Sequence, residues 1–170
     1  MTKALFFILF GGLILISCNN SDKTAIVSEE INVYNTNGLL WDSIENITKI
    51  DTVGSKKYLI DIYTEWCSWC KVMDKKTFSD AKVQQTLKDN FHLIKFNAET
   101  KDTVEFMGES YEWLTMGRKG ANKLAVRFLE GKLSYPTLVY LDEDMETIRV
   151  SQGYKNSEEL LQELEVITKS

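Results

Sequence analysis

Residues 57–70, KYLIDIYTEWCSWC, join a β-rich run to two cysteines three positions apart. The run from Lys57 to Tyr63 is nearly apolar throughout, as expected of a strand covered on both faces of a parallel sheet. Cys67 to about Lys76 then reads as the start of a helix, which places Cys67 and Cys70 at a helix N-terminus within disulfide reach. The first sulfur there faces unpaired backbone N–H groups and the positive end of the helix dipole, and both stabilise a thiolate. A thiolate attacks a substrate disulfide, and the second cysteine resolves the mixed disulfide that forms. Lys71 adds a solvated positive charge nearby.

The rest of the chain supplies an α/β frame for this pair. Residues 38–49 place Leu40, Ile44 and Ile47 on one face of an expected amphipathic helix. Residues 81–88 continue the helical pattern after a break at 77–80, and Phe91 to Asn97 alternates as a second strand. Residues 137–141 make a third strand, and 146–151 return as its hairpin partner after the acidic turn Asp142–Asp144. Asn156 with Glu159 is a capping box that opens a last helix to about Lys169. This order fits an α/β three-layer domain with a mixed sheet. Between Asn97 and Pro136 lies more chain than a compact connection needs. Within it, Val104, Phe106, Tyr111 and Trp113 flank Gly108 like a hairpin, and residues 121–130 read as a helix stopped by Gly131.

Composition narrows the function. A hydrophobic fraction of 44% supports a sizeable core, and 170 residues suit one domain. The net charge of −5, with acids and bases interleaved, argues against a nucleic-acid partner. A structural zinc site needs four ligands, but with Cys18 expected under lipid the chain offers only Cys67, Cys70 and His92, the last in an apolar-alternating strand. Attachment of c-type haem needs a histidine where Lys71 stands. Two thiolates could hold Cu(I), and Met73 and Met107 offer soft sulfur, although methionine commonly fills cores. A purely structural disulfide closes too short a loop to stabilise much.

The first 17 residues read as an export signal: Lys3, then an apolar stretch from Ala4 to Ile16 that is short for a membrane span. Its ending, Leu15-Ile16-Ser17-Cys18, resembles the lipobox of bacterial lipoproteins. That resemblance implies cleavage before Cys18, lipidation of Cys18, and anchoring to a bacterial membrane outside the cytoplasm. Residues 18–32 become the lipidated N-terminus and tether, and 33–170 the folded domain. Disulfide chemistry is possible in that compartment.

The stretch Leu59 to Lys71, followed far downstream by Tyr135-Pro136-Thr137, resembles the thioredoxin superfamily. The run CSWCKVMDKKTFSD is similar to periplasmic thioredoxin-fold disulfide reductase domains and small thioredoxin-fold lipoproteins. The resemblance implies a thioredoxin-like three-layer fold with an insertion over about 99–133 ahead of a cis-proline strand. It implies that Asp61 assists deprotonation of Cys70, that Trp66 offers a flat surface beside the reactive sulfur, and that Pro136 is cis. Pro136 then holds the backbone of Tyr135 so that a substrate strand can pair there. No organic cofactor is expected, because the Cys67–Cys70 disulfide carries the electrons. The expected partners are proteins with disulfides or thiols and a membrane-bound recycling reductant. Ser68-Trp69 between the cysteines and Tyr135 before the proline depart from thioredoxin itself, so reduction, oxidation and isomerisation all stay open.

Overall fold

The computed structural model describes residues 33–36, 38–49 and 56–169. The export signal, Cys18 and the tether expected over 1–32 lie outside the described residues. Strand β1 (Val33–Thr36) and β2 (Leu39–Ser43) lead into a short 3-10 helix (Ile44–Lys49). Strand β3 (Lys57–Tyr63) is followed by helices α1 (Ser68–Lys76) and α2 (Ala81–Asn90) and by strand β4 (Phe91–Asn97). Two small hairpins come next, β5 (Val104–Phe106) with β6 (Glu109–Tyr111), then β7 (Trp113–Met116) with β8 (Lys119–Asn122). Helix α3 (Lys123–Phe128), strands β9 (Thr137–Leu141) and β10 (Thr147–Gln152), and helix α4 (Ser157–Lys169) complete the chain.

Six strands form one mixed sheet in the order β1-β2-β4-β3-β9-β10. Strand β3 lies inside it, parallel to β4 and antiparallel to β9. Alternation along the strands then sorts side chains into two layers. Leu59 and Leu93 pack with Met73, Val83 and Leu164 from α1, α2 and α4 and with Phe78 from the α1–α2 connection. Ile60, Ile62, Ile94 and Phe96 pack on the opposite face with Ile44, Phe106, Leu124 and Phe128. With helices on one side, and α3 and the first hairpin on the other, the sheet is the middle layer of three.

Two sequence expectations need correction. The helix expected over 38–49 is instead strand β2 plus the 3-10 turn, because Leu39, Trp41 and Ser43 alternate inward while Leu40 is 65% exposed. Strand β2 pairs with β1 and, in parallel, with β4, and Trp41 packs edge-on against Phe78 at 5.0 Å. Leu40, Ile44 and Ile47 therefore share helical spacing without sharing a helix. The helix expected over 121–130 starts later, since Ala121 and Asn122 belong to β8. Buried Asn122 caps α3 by accepting from the Leu124 N–H, and its Nδ2 donates to the Tyr111 carbonyl.

The second hairpin escaped the sequence reading, and its packing shows why it forms. Gly120 lies against the Trp113 ring: a Cβ there would sit 2.3 Å from Trp113 Cζ2 and 2.5 Å from the Leu114 carbonyl oxygen. Only glycine lets the indole close over the strand. The turn at Gly117 has φ +63, which is also glycine territory. By contrast, the capping box forms as expected, with Asn156 and Glu159 exchanging backbone N–H bonds at 2.9 and 3.0 Å.

Candidate active site

Strand β3 ends at Tyr63, and four residues later Cys67 caps α1. The Cys70 N–H donates to Cys67 Sγ at 3.1 Å, so the sulfur occupies the place of an N-cap oxygen. Cys67 and Cys70 form a disulfide with Cα atoms 5.3 Å apart. Both are 4% exposed, whereas the flanking Trp66 and Trp69 are 59% and 60% exposed. The disulfide is thus framed by two large solvent-facing rings. Trp69 leans on Tyr154 at 5.2 Å, and Trp66 meets Tyr135 edge-on at 5.9 Å.

The Trp66–Tyr135 contact joins the cysteine loop to the proline loop. The Tyr135–Pro136 peptide is cis, and the Pro136 carbonyl accepts from the Gly153 N–H at 2.8 Å. Trp66 is held from a third side, because its indole N–H reaches both carboxylate oxygens of Glu99 at 3.0 Å. Burial, and then the Glu99 charge, push the Tyr135 hydroxyl up to about 12, so it stays protonated and uncharged at neutral pH.

A buried charge cluster lies on the same sheet face as α1. Asp61 Oδ2 accepts from Lys95 Nζ at 2.5 Å, and Asp74 Oδ1 accepts from the same ammonium at 2.6 Å. Asp61 is 2% exposed and Lys95 7% exposed. Trp41, Tyr63 and Phe78 surround the ammonium, with ring centroids 5.0–5.6 Å away. Burial raises the Asp61 carboxyl above its ordinary value despite the pull of Lys95. Burial opposes the charge on Lys95 too, but Asp61 and Asp74 more than offset it and hold the ammonium protonated. Asp61 Oδ1 has no hydrogen-bond partner among the described residues. The cluster therefore contains a carboxyl with one oxygen fixed on Lys95 and one able to carry a proton.

Sequence reasoning named Asp61 but missed both of its companions. Lys95 shares a face of β4 with Phe91 and Leu93, and a lysine at an inward, apolar-period position is the signal that could have found it. Asp74 follows Cys70 by four residues on α1, on the helical face that buries Cys70 and Met73. Glu99 carries no such signal. Of the other sulfur and nitrogen candidates, Met73 is fully buried beneath α1, and Met107 lies on the first hairpin in the opposite layer. His92 packs against Tyr58 at 5.1 Å. Among the described residues, no group of three or more His, Cys, Asp or Glu side chains is placed to hold a metal ion.

Residues 45–168 match the family model of the thioredoxin-like domain. The chain belongs to the thioredoxin-like family. This thioredoxin-like chain is 30% identical over 118 residues to the thiol:disulfide interchange protein DsbD of Actinobacillus pleuropneumoniae, a match covering 58% of the chain and 19% of that protein. It is 36% identical over 70 residues to DsbD of Escherichia coli, covering 35% of the chain and 12% of that protein. The chain thus spans less than a fifth of the length of these curated relatives. Among solved structures, the first thioredoxin domain of mouse protein disulfide-isomerase A4 aligns with TM-score 0.54 and 18% identity, over 86% of the chain and 87% of that domain. A thioredoxin-fold protein from Helicobacter pylori aligns with TM-score 0.51 and 20% identity, over 68% of the chain and 70% of its own. These likenesses establish the fold. With the disulfide at the start of α1, this is a thiol–disulfide oxidoreductase site.

Proposed function

We propose that the chain is an extracytoplasmic, lipid-anchored reductase of protein disulfides, tethered through Cys18. The observation that carries the exchange chemistry is the Cys67 sulfur seated as the cap of α1, receiving the Cys70 N–H at 3.1 Å. In the dithiol form the same N–H groups and the helix dipole favour a thiolate on Cys67. That thiolate attacks one sulfur of a substrate disulfide. A bond forms from Cys67 to that sulfur, and the other substrate sulfur leaves as a thiolate and takes up a proton. Cys70 then gives its proton to Asp61 and attacks Cys67 Sγ. The Cys67–Cys70 bond forms, and the second substrate thiol departs. The substrate gains two electrons and the cysteine pair loses two. A dithiol partner, which we place in the membrane, returns them by the reverse exchange. Trp66 and Tyr135 form the surface on which the substrate chain lies, and Pro136 holds the backbone beside it. No organic cofactor enters the cycle.

The reducing direction is supported by the similarity of the CxxCK helix to reducing domains, and the exchange chemistry by the matches to thiol:disulfide interchange proteins. Anchoring is supported by the sequence ending Leu15-Ile16-Ser17-Cys18. Equilibration of the full chain with glutathione measures the potential of the couple. A value near that of thioredoxin, about −270 mV, is expected, and one near about −120 mV would overturn the direction. In cells the chain is expected in the membrane fraction, and Cys18→Ala is expected to release it. Equal partitioning of both would overturn the anchor.

A further inference from the structure

The second hairpin and the loop after β4 line an open groove of about 580 Å³ together with Trp66, the residue before Cys67. Two indoles, Trp66 and Trp113, are among its lining side chains. Its rim carries Lys101, Arg118 and Lys119, all exposed. Lys119 Nζ stands 5.6 Å over the Trp66 ring, and Lys101 Nζ stands 5.9 Å over the Trp113 ring. Glu99 is the one carboxylate among the described lining residues, and both of its oxygens already accept the Trp66 indole N–H. Three cations thus gather around Trp66, the residue before Cys67, in a chain whose net charge is −5. None of the three has a carboxylate within ion-pair distance among the described residues.

We infer that this groove is a recognition site for an acidic stretch of polypeptide flanking the target disulfide. The chemistry of the lining selects the occupant. Carboxylates of a partner strand would pair with Lys101, Arg118 and Lys119, while its apolar atoms lie on the two indoles. Such cations at a rim steer encounter and discriminate between partners. The groove is continuous with the exchange site through Trp66, the residue before Cys67. Bound acidic chain would therefore present a neighbouring disulfide to Cys67. The hairpin supplies the specificity, and the disulfide supplies the chemistry. This inference rests on the disulfide-exchange reading of Cys67 and Cys70.

Three disulfide-bonded peptides of equal length, with acidic, neutral and basic flanks, test it. With the full chain at low salt, kcat/KM for the acidic peptide should exceed that for the basic one by roughly tenfold. The ratio should fall towards one as ionic strength rises and the Debye length shortens. The triple variant Lys101→Glu, Arg118→Glu, Lys119→Glu should invert the preference, and the milder triple change to Gln should abolish it. Lys82→Glu, on α2, should leave the ratio as in the unaltered chain. An acidic-to-basic ratio near one at low salt, with the neutral peptide turned over normally, would overturn the inference alone. Absence of turnover on the neutral peptide would instead overturn the exchange reading. In that case, binding of cysteine-free versions of the peptides, read by fluorescence anisotropy, still decides the groove: acidic above basic supports it, and equal binding sinks it.

Discussion

Cys67→Ser is expected to lower disulfide-reducing turnover at least about a thousandfold, with little change in fold. A hydroxyl at neutral pH is a far weaker nucleophile than a thiolate, and steps that share one nucleophile fail together when it is removed. Cys67 lies at the surface end of α1, and its backbone N–H donates to the Thr64 carbonyl at 3.1 Å, independently of the sulfur. The variant should therefore keep the helix start. Cys70→Ser should behave differently. It retains the Cys67 thiolate and the first attack, then stalls at the mixed disulfide. A single stoichiometric burst of substrate thiol without further turnover is its expected trace. The measurement is release of thiol from a test disulfide by pre-reduced protein from which free reductant has been removed. A burst from Cys67→Ser and none from Cys70→Ser would reverse the assigned order of attack.

Asp61→Asn is expected to make the protein more stable and slower, two effects of opposite sign from one substitution. Burial raises the Asp61 carboxyl above 3.8, so the folded chain keeps a proton that the unfolded chain has released. Between 3.8 and the raised folded value, stability therefore falls as pH rises, and it stays lowered above that value. Asparagine removes the ionisation with little change in shape, while Lys95 keeps Asp74 at 2.6 Å. Relative to the unaltered chain, the variant should gain stability at pH 8. That relative gain should shrink as pH approaches 3.8, and urea unfolding at several pH values measures it. The release step should slow about a hundredfold, a typical loss for a proton acceptor. Its pH profile should also lose the inflection that belongs to Asp61. A purely structural aspartate would give loss of stability with an unchanged profile.

Much of this site was legible because strand and helix signals coincide there. The run Lys57–Tyr63 was apolar enough to place β3 to the residue, and the spacing of Cys67 and Cys70 fixed the start of α1. Pro136, the single proline, was traceable through its position ahead of the Thr137–Leu141 strand. What escaped was whatever depends on tertiary closeness. Lys95 joins Asp61 across the parallel β3–β4 pairing, in which the two residues are register partners. No local pattern states that pairing. Glu99 reaches Trp66 across 33 positions, and the second hairpin owes its form to one indole closing over Gly120. The first strands were misread for a related reason. Leu40, Ile44 and Ile47 suit a helix locally, but pairing of β2 with β1 and β4 outweighs that preference.

On the proposed reading, Cys67 attacks disulfides of other proteins and Cys70 releases them. Its most direct test is recovery of covalent complexes from cells that express Cys70→Ser, separated without reductant and then again with it. Discrete complexes are expected that vanish on reduction, that contain Cys67 bonded to a partner cysteine, and that are absent from Cys67→Ser cells. Complexes of equal abundance in both variants, or none in Cys70→Ser, would contradict it.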